Sequence, residues 1–193
     1  IEADLIQYDA ADLEAPQKVY DYISEKYNKL DILVNNAGVL LTGNLFVTNS
    51  TTVSDKDIKE TFQTNLFSVI SLTQALLPLI KKSDAGRIVN VSTILSSLTL
   101  HTTENSPIEL AKEFAYNASK TALNAFTIHL ALELKDTNIK VNSGHPGWVK
   151  TELGGPNAPM EVKDSYETSL YLATLDKDGP SGGLFHKEET LPW

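Results

Sequence analysis

Four short apolar runs, spaced by longer stretches of helical periodicity, constrain this chain more than any other feature. They are Leu5-Ile6-Gln7-Tyr8, Asp31 to Val34, Arg87 to Val91 and Ile139 to Asn142. Runs this short, apolar on both faces and bounded by turn residues, read as strands buried in a parallel sheet. Parallel neighbours need long crossovers, and the chain has helical patterns to supply them over 15–27, 55–82 and 112–135, with a further helix over 162–175 and a last short strand near 182–185. The expected architecture is therefore an α/β/α sandwich around a parallel sheet. Ligands of such sheets bind outside the C-terminal strand ends. The chemistry-bearing residues fall there: Asp9, then Asn35-Asn36-Ala37-Gly38, then Ser92 and Thr93, then Pro146 and Gly147.

The local signals agree with this plan. Asp12 is a candidate N-cap for the first helix. The stretch 55–82 carries one apolar stripe through Ile58, Phe62, Leu66, Val69, Leu72, Leu76 and Ile80, with Pro78 set to shorten or bend its end. The helix over 112–135 is apolar on more than one face, as a helix buried on two sides must be. Residues 39–54 and 152–160 read as loops, and 94–112 is irregular.

With 193 residues, 41% of them hydrophobic and 21% charged, the chain suits a single domain spanning 1–193 with a sizeable core. A net charge of −9 argues against nucleic acid or an anionic membrane surface as partner. No cysteine is present, which removes disulfides, thiolate catalysis and cysteine-held metal. The start Ile1-Glu2-Ala3-Asp4 does not resemble a signal peptide and no uninterrupted apolar run reaches spanning length, so the expected setting is the cytoplasm with no membrane attachment. The sequons at Asn49, Asn90 and Asn117 are read as chance. The four histidines show no ligand spacing, so no metal site is expected.

One pair stands out at the start of the long helix. In Tyr116-Asn117-Ala118-Ser119-Lys120, a phenol and an ammonium four residues apart share a helix face. A neighbouring cation stabilises a phenolate, so such a tyrosine can act as a general acid toward a carbonyl oxygen or as a base toward an alcohol. Alone, the same pattern also describes a partly buried aromatic beside a solvated lysine.

Taken together, the ordered motifs resemble those of the short-chain dehydrogenase/reductase family over nearly the whole chain: Asp9-Ala10-Ala11-Asp12, Asn35-Asn36-Ala37-Gly38, Asn65 within a helix, Asn90-Val91-Ser92-Thr93, Tyr116-x-x-x-Lys120 and Pro146-Gly147-Trp148-Val149-Lys150-Thr151. The resemblance implies a Rossmann-like, doubly wound three-layer α/β/α fold. It also implies an NAD(P)-dependent oxidoreductase that moves a hydride between the nicotinamide and a ketone, aldehyde or secondary alcohol. In that family's terms Tyr116 is the acid/base. Lys120 lowers its pKa and binds the nicotinamide ribose, and Asn65 holds a water that relays protons. Asp9 meets the adenine, Asn36, Ala37 and Gly38 line the adenosine side, and Pro146, Gly147, Val149 and Thr151 hold the nicotinamide end.

Two departures qualify the match. The family's catalytic serine position is filled by Thr93, whose hydroxyl donates the same bond with fewer rotamers, and Ser92 is the second choice. The separation of Thr93 from Tyr116 is also long, implying an insertion within 94–114 as in carbonyl-reductase-like members. The larger departure is that no G-x-G pattern exists, so the opening βαβ unit with its phosphate-binding turn is missing from the fold, which is N-terminally incomplete. The chain is accordingly expected to belong to a longer protein, because a parallel sheet deprived of central strands leaves apolar edges open.

The carbonyl-reductase likeness points to NADP(H) rather than NAD(H). Trp148, Leu153, Met160 and leucines 95, 98 and 100 suggest an apolar carbonyl or alcohol substrate, although core packing explains each of them as well. Apolar surface on the two long helices suggests a homodimer or homotetramer. A non-catalytic dinucleotide-binding or scaffold protein of the same fold is the alternative reading. A nucleotide-sugar epimerase is disfavoured, since little chain follows Gly183.

Overall fold

The computed structural model describes residues 2–42 and 48–193, so the part of the 39–54 loop between them lies outside the described residues. Four strands, β1 (Ile32–Asn35), β2 (Arg87–Val91), β3 (Lys140–Gly144) and β4 (Leu184–His186), pair in parallel in that order. A fifth, β5 (Glu189–Leu191), folds back antiparallel on β4. The register puts Leu33, Ile88 and Val141 in one row across the sheet. That row packs on helix α3 (Ser68–Ile80) and on the end of α5 (Phe114–Glu133), through Leu76, Leu79, Ile80, Leu130 and Leu134. Val89, one residue along β2, faces the opposite layer, where α6 (Glu167–Ala173) contributes Leu172. Period-two strands between period-3.6 helices thus give the expected three-layer α/β/α sheet.

Helix α1 (Ala15–Lys26) packs on α3. Its N-cap is Glu14 rather than Asp12, because Pro16 fits the first turn; the Asp12 carboxylate instead accepts the Glu14 N–H at 2.8 Å and Lys18 Nζ at 3.0 Å. The stretch expected as one helix over 55–82 is α2 (Asp55–Phe62), a π turn (Gln63–Phe67) and α3, ending two residues after Pro78. By length and composition this continuous helix, Asp55–Ile80, is apolar enough to cross a membrane, but it is packed against α1, α5 and β1. The helix expected over 162–175 is a 3-10 turn (Val162–Asp164) followed by α6. Within 94–112 the chain forms a 3-10 turn (Ile94–Ser96) and the short α4 (Leu98–Thr102), which sequence periodicity did not reveal.

The strand expected at residues 5–8 is not formed. A strand needs a hydrogen-bonding neighbour, and β1, the edge of the sheet, pairs with β2 alone. The segment runs over the surface with Leu5 fully exposed, held by Lys26 Nζ and the Tyr27 hydroxyl donating to Asp4 and by the Tyr8 hydroxyl donating to the Ser68 carbonyl at 3.2 Å. On the free edge Ile32 and Val34 are 43% and 41% exposed.

Candidate active site

The C-terminal ends of β1, β2 and β3 are tied by a buried polar row. Asn35, Asn90 and Ser143 are register partners. Asn35 Nδ2 donates to Asn90 Oδ1 (2.8 Å) and to Thr73 Oγ1 (3.1 Å), Asn90 Nδ2 donates to Thr127 Oγ1 (2.8 Å), and Thr127 Oγ1 meets Ser143 Oγ at 2.9 Å. These side chains satisfy one another where the sheet gives way to loops, so the loops above start from a fixed frame.

Tyr116 sits in the first turn of α5 and Lys120 one turn later; both are buried. Apolar side chains from four segments enclose the phenol, among them Leu40, Leu95, Leu100, Ile108 and Leu153. Burial pushes its pKa up to about 12; a hydrogen bond from Thr93 pulls the other way, and the Glu113 carboxylate adds to the rise. Lys120 is pulled down to about 8 by burial. Desolvation is the largest influence on the phenol, and the Lys120 ammonium donates to the Val91 carbonyl at 2.7 Å. The phenol is held in its protonated form.

Thr93, two residues beyond β2 and in extended conformation, caps the 3-10 turn and accepts the Leu95 N–H on Oγ1 at 3.2 Å, leaving its own proton to donate. Ser92 faces away, donating to Asn124 Oδ1 at 2.8 Å within a buried knot that includes Ser96. Of the two hydroxyls only that of Thr93 acts on the phenol, pulling its pKa down.

Asn65 is completely buried in the π turn, a local widening of the kind that frequently marks functional positions. Its Oδ1 accepts the Val39 N–H (2.8 Å) while Nδ2 donates to the Val39 carbonyl (3.0 Å) and to Ser119 Oγ (3.1 Å), so it clamps the chain after Gly38 to α5. A Cβ on Gly38 would lie 3.3 Å from Lys120 Nζ and 3.4 Å from Asn65 Oδ1, so the backbone here comes close to both groups. Asn65, Gly38, Thr93, Tyr116 and Lys120 are thus gathered in one place. Asn36 and Ala37 are exposed just before it. Asp9 is exposed at a turn whose Ala10 carbonyl accepts from Gln63 Nε2 at 2.9 Å, which places it beside the same π turn.

Pro146 to Thr151 leave the end of β3. Gly147 has φ 100°, and a Cβ there would sit 2.7 Å from the Met160 methyl. Val149 bridges to Met160, Lys150 N donates to the Met160 carbonyl (2.8 Å), and Thr151 Oγ1 accepts the Gly154 N–H (3.0 Å), closing the loop on itself. His145 is pulled down to about 4 by burial and by His186, so it is neutral and suits packing rather than proton transfer. Among the described residues no cluster of His, Asp or Glu could hold a metal. Residues that motif reading passed over are Ser119, which links Asn65 to the Tyr116 carbonyl, and Glu113, which caps α5; a polar residue directly before the helix was the available signal for the second.

A family model for short chain dehydrogenases matches residues 1–161, and the chain belongs to that family. Curated relatives include human "Carbonyl reductase [NADPH] 1", 30% identical over 97% of this chain and 78% of the relative. The mouse protein of the same name is 29% identical over 94% and 78%. Among solved structures, carbonyl reductase Sniffer of D. melanogaster superposes with a TM-score of 0.81 at 30% identity, covering 97% of this chain and 77% of that one. NADPH-bound carbonyl reductase from chicken fatty liver gives 0.83 at 24% identity over 97% and 76%, a likeness of fold.

Proposed function

We propose that this chain reduces small carbonyl compounds with NADP(H), Tyr116 delivering the proton to the carbonyl oxygen as the hydride reaches the carbon. The observation that carries the reading is a buried phenol walled by apolar side chains, with Lys120 one turn behind it on the same helix. A phenol that stays protonated at neutral pH has a proton to give the carbonyl oxygen as that oxygen gains negative charge. The Thr93 hydroxyl donates to the substrate oxygen and fixes its distance from Tyr116. The apolar walls exclude water and favour an apolar carbonyl compound.

The cofactor supplies the hydride. The residues present fit its ribose and nicotinamide end: Lys120 would hold the ribose beside the bare backbone at Gly38, and Pro146, Gly147, Val149 and Thr151 would border the nicotinamide. Asp9, Asn36 and Ala37 are accessible for the adenosine end. NADP(H) is preferred because relatives carry NADPH in their names. Asn65 retains one lone pair on Oδ1 for a water in a proton relay toward Lys120. A cytoplasmic setting belongs to this reading and is supported by the cysteine-free sequence. So does pairing of copies through the long helices, supported by Phe67 and Leu132, 49% and 60% exposed.

The test is NADPH consumption by the full-length protein with a panel of apolar ketones and aldehydes, comparing wild type with Tyr116→Phe. Removing a positioned general acid is expected to cut kcat by roughly 10²–10⁴-fold while cofactor binding persists. Full activity in the variant would sink the mechanism and leave the non-catalytic reading standing.

A further inference from the structure

Glu113 is the one carboxylate among the described residues that is fully buried, 1% exposed, and no lysine or arginine pairs with it there. Taking a carboxylate out of water is costly unless each oxygen finds a donor. Both do. Oε2 accepts the Tyr116 backbone N–H at 2.6 Å, and Oε1 accepts the Thr48 hydroxyl at 2.9 Å. The first bond caps α5, where the helix dipole favours negative charge. Capping alone does not explain a glutamate, since a shorter serine or aspartate is the usual choice at this position. The longer side chain with two divergent oxygens does something those residues do not: it reaches from the first turn of α5 to the loop preceding α2.

Resting on the reading of Tyr116 as proton donor, we propose that Glu113 is a positioning residue for it. Glu113 fastens the turn of α5 that carries Tyr116 to the loop at Thr48, so that the phenol's place over the substrate depends on that loop. The two bonds act on opposite sides of one carboxyl group: a shift of the loop at Thr48 pulls the cap, and the cap holds the backbone nitrogen of Tyr116 itself. The charged groups around Tyr116 are Glu113 and Lys120 on its own helix; Lys112 and His101 lie farther out and bond to each other at 2.9 Å. The apolar residues from the other elements bring no charge. Glu113 therefore also adds to the burial that keeps the phenol protonated.

Three variants of the full-length protein test this: Glu113→Ala, Glu113→Gln and Thr48→Val, with Tyr116→Phe measured alongside. Glu113→Ala is expected to lower kcat for carbonyl reduction on the order of tenfold while the KM for NADPH stays put, because a displaced proton donor costs rate rather than cofactor binding. Glutamine can accept from the Tyr116 N–H and donate to Thr48, so Glu113→Gln should recover most of that loss. Without the charge, its alkaline fall in reduction rate should begin at lower pH than in wild type. Thr48→Val leaves the cap and cuts only the loop link, and should lower kcat by about threefold or more; it also serves if Glu113→Ala does not fold. If Thr48→Val and Glu113→Gln both match wild type in kcat and pH profile while Tyr116→Phe is inactive, the inference is overturned and the proton-donor reading survives. If Tyr116→Phe is fully active, it is that reading which has failed.

Discussion

Lys120→Met should make the protein relatively more stable at neutral pH and lose that advantage as the pH is raised. The reason lies in the surroundings of the ammonium, which is 4% exposed, donates to the Val91 carbonyl at 2.7 Å and is pulled by burial from 10.5 to about 8. With the folded pKa depressed for a base, the unfolded chain binds more protons between the two values, so stability rises with pH across that window. The cost of holding the charged lysine is fully present below about pH 8 and vanishes above about 10.5. That fall is worth roughly 3 kcal/mol in total, of which about 2 kcal/mol is recovered between about pH 7 and about pH 9.5. Methionine keeps the apolar stem and removes the charge, while the Val91 carbonyl loses a donor at a cost of about 1–3 kcal/mol that does not change with pH. Urea unfolding of both proteins at the two pH values isolates the titration. At the higher pH the stability difference should move by about 2 kcal/mol in favour of wild type, shrinking an advantage of the variant or deepening a deficit. A difference in stability that is the same at both pH values would show that Lys120 keeps its ordinary pKa, and that burial does not govern the site.

Two further predictions concern the hydroxyl and amide groups around it. Thr93→Ala should reduce kcat by roughly 10-fold or more and cost about 1 kcal/mol through the lost cap on Leu95, whereas Ser92→Ala should cost about 1–2 kcal/mol of stability through the lost bond to Asn124 and leave kcat nearly intact. The reverse pattern would hand the catalytic hydroxyl to Ser92. Asn90→Ala breaks the polar row between Asn35 and Thr127 in a fully buried position and should destabilise by about 2–4 kcal/mol, read as a lowered Tm.

Where the sequence was legible, one physical signal was strong enough to stand without tertiary context. Three of the four apolar runs formed strands because each is flanked by turn residues and is too short for a helix, and their register then follows from burying Leu33, Ile88 and Val141 in one row. The run at 5–8 has the same composition but no neighbour to bond, and strand formation is decided by the neighbour. The insertion at 94–112 was illegible for a related reason. Its 3-10 turn and α4 are each shorter than two helical turns, so no periodicity can accumulate, and serine and threonine caps at Thr93 and Ser97 organise them instead.

The site shows the same division more sharply. Spacing alone singled out Tyr116 and Lys120 as an i,i+4 pair and Ser92 and Thr93 as a strand end, whereas Asn65 and the choice of Thr93 over Ser92 came from the family resemblance. The protonation state of the phenol was not local. From spacing, the ammonium of Lys120 should depress it; in the fold, Leu40, Leu95, Ile108 and Leu153 arrive from segments far apart in the chain and remove the water that would have favoured the phenolate. With both groups buried, desolvation moves each toward its neutral form, the phenol upward and the amine downward, so their mutual attraction weakens as the charges that would create it are suppressed. At neutral pH the phenol therefore carries its proton. Its dependence on enclosure makes the loops around it part of the acid–base chemistry, which is why the link from Thr48 through Glu113 to the Tyr116 backbone belongs to the site as much as the motif does.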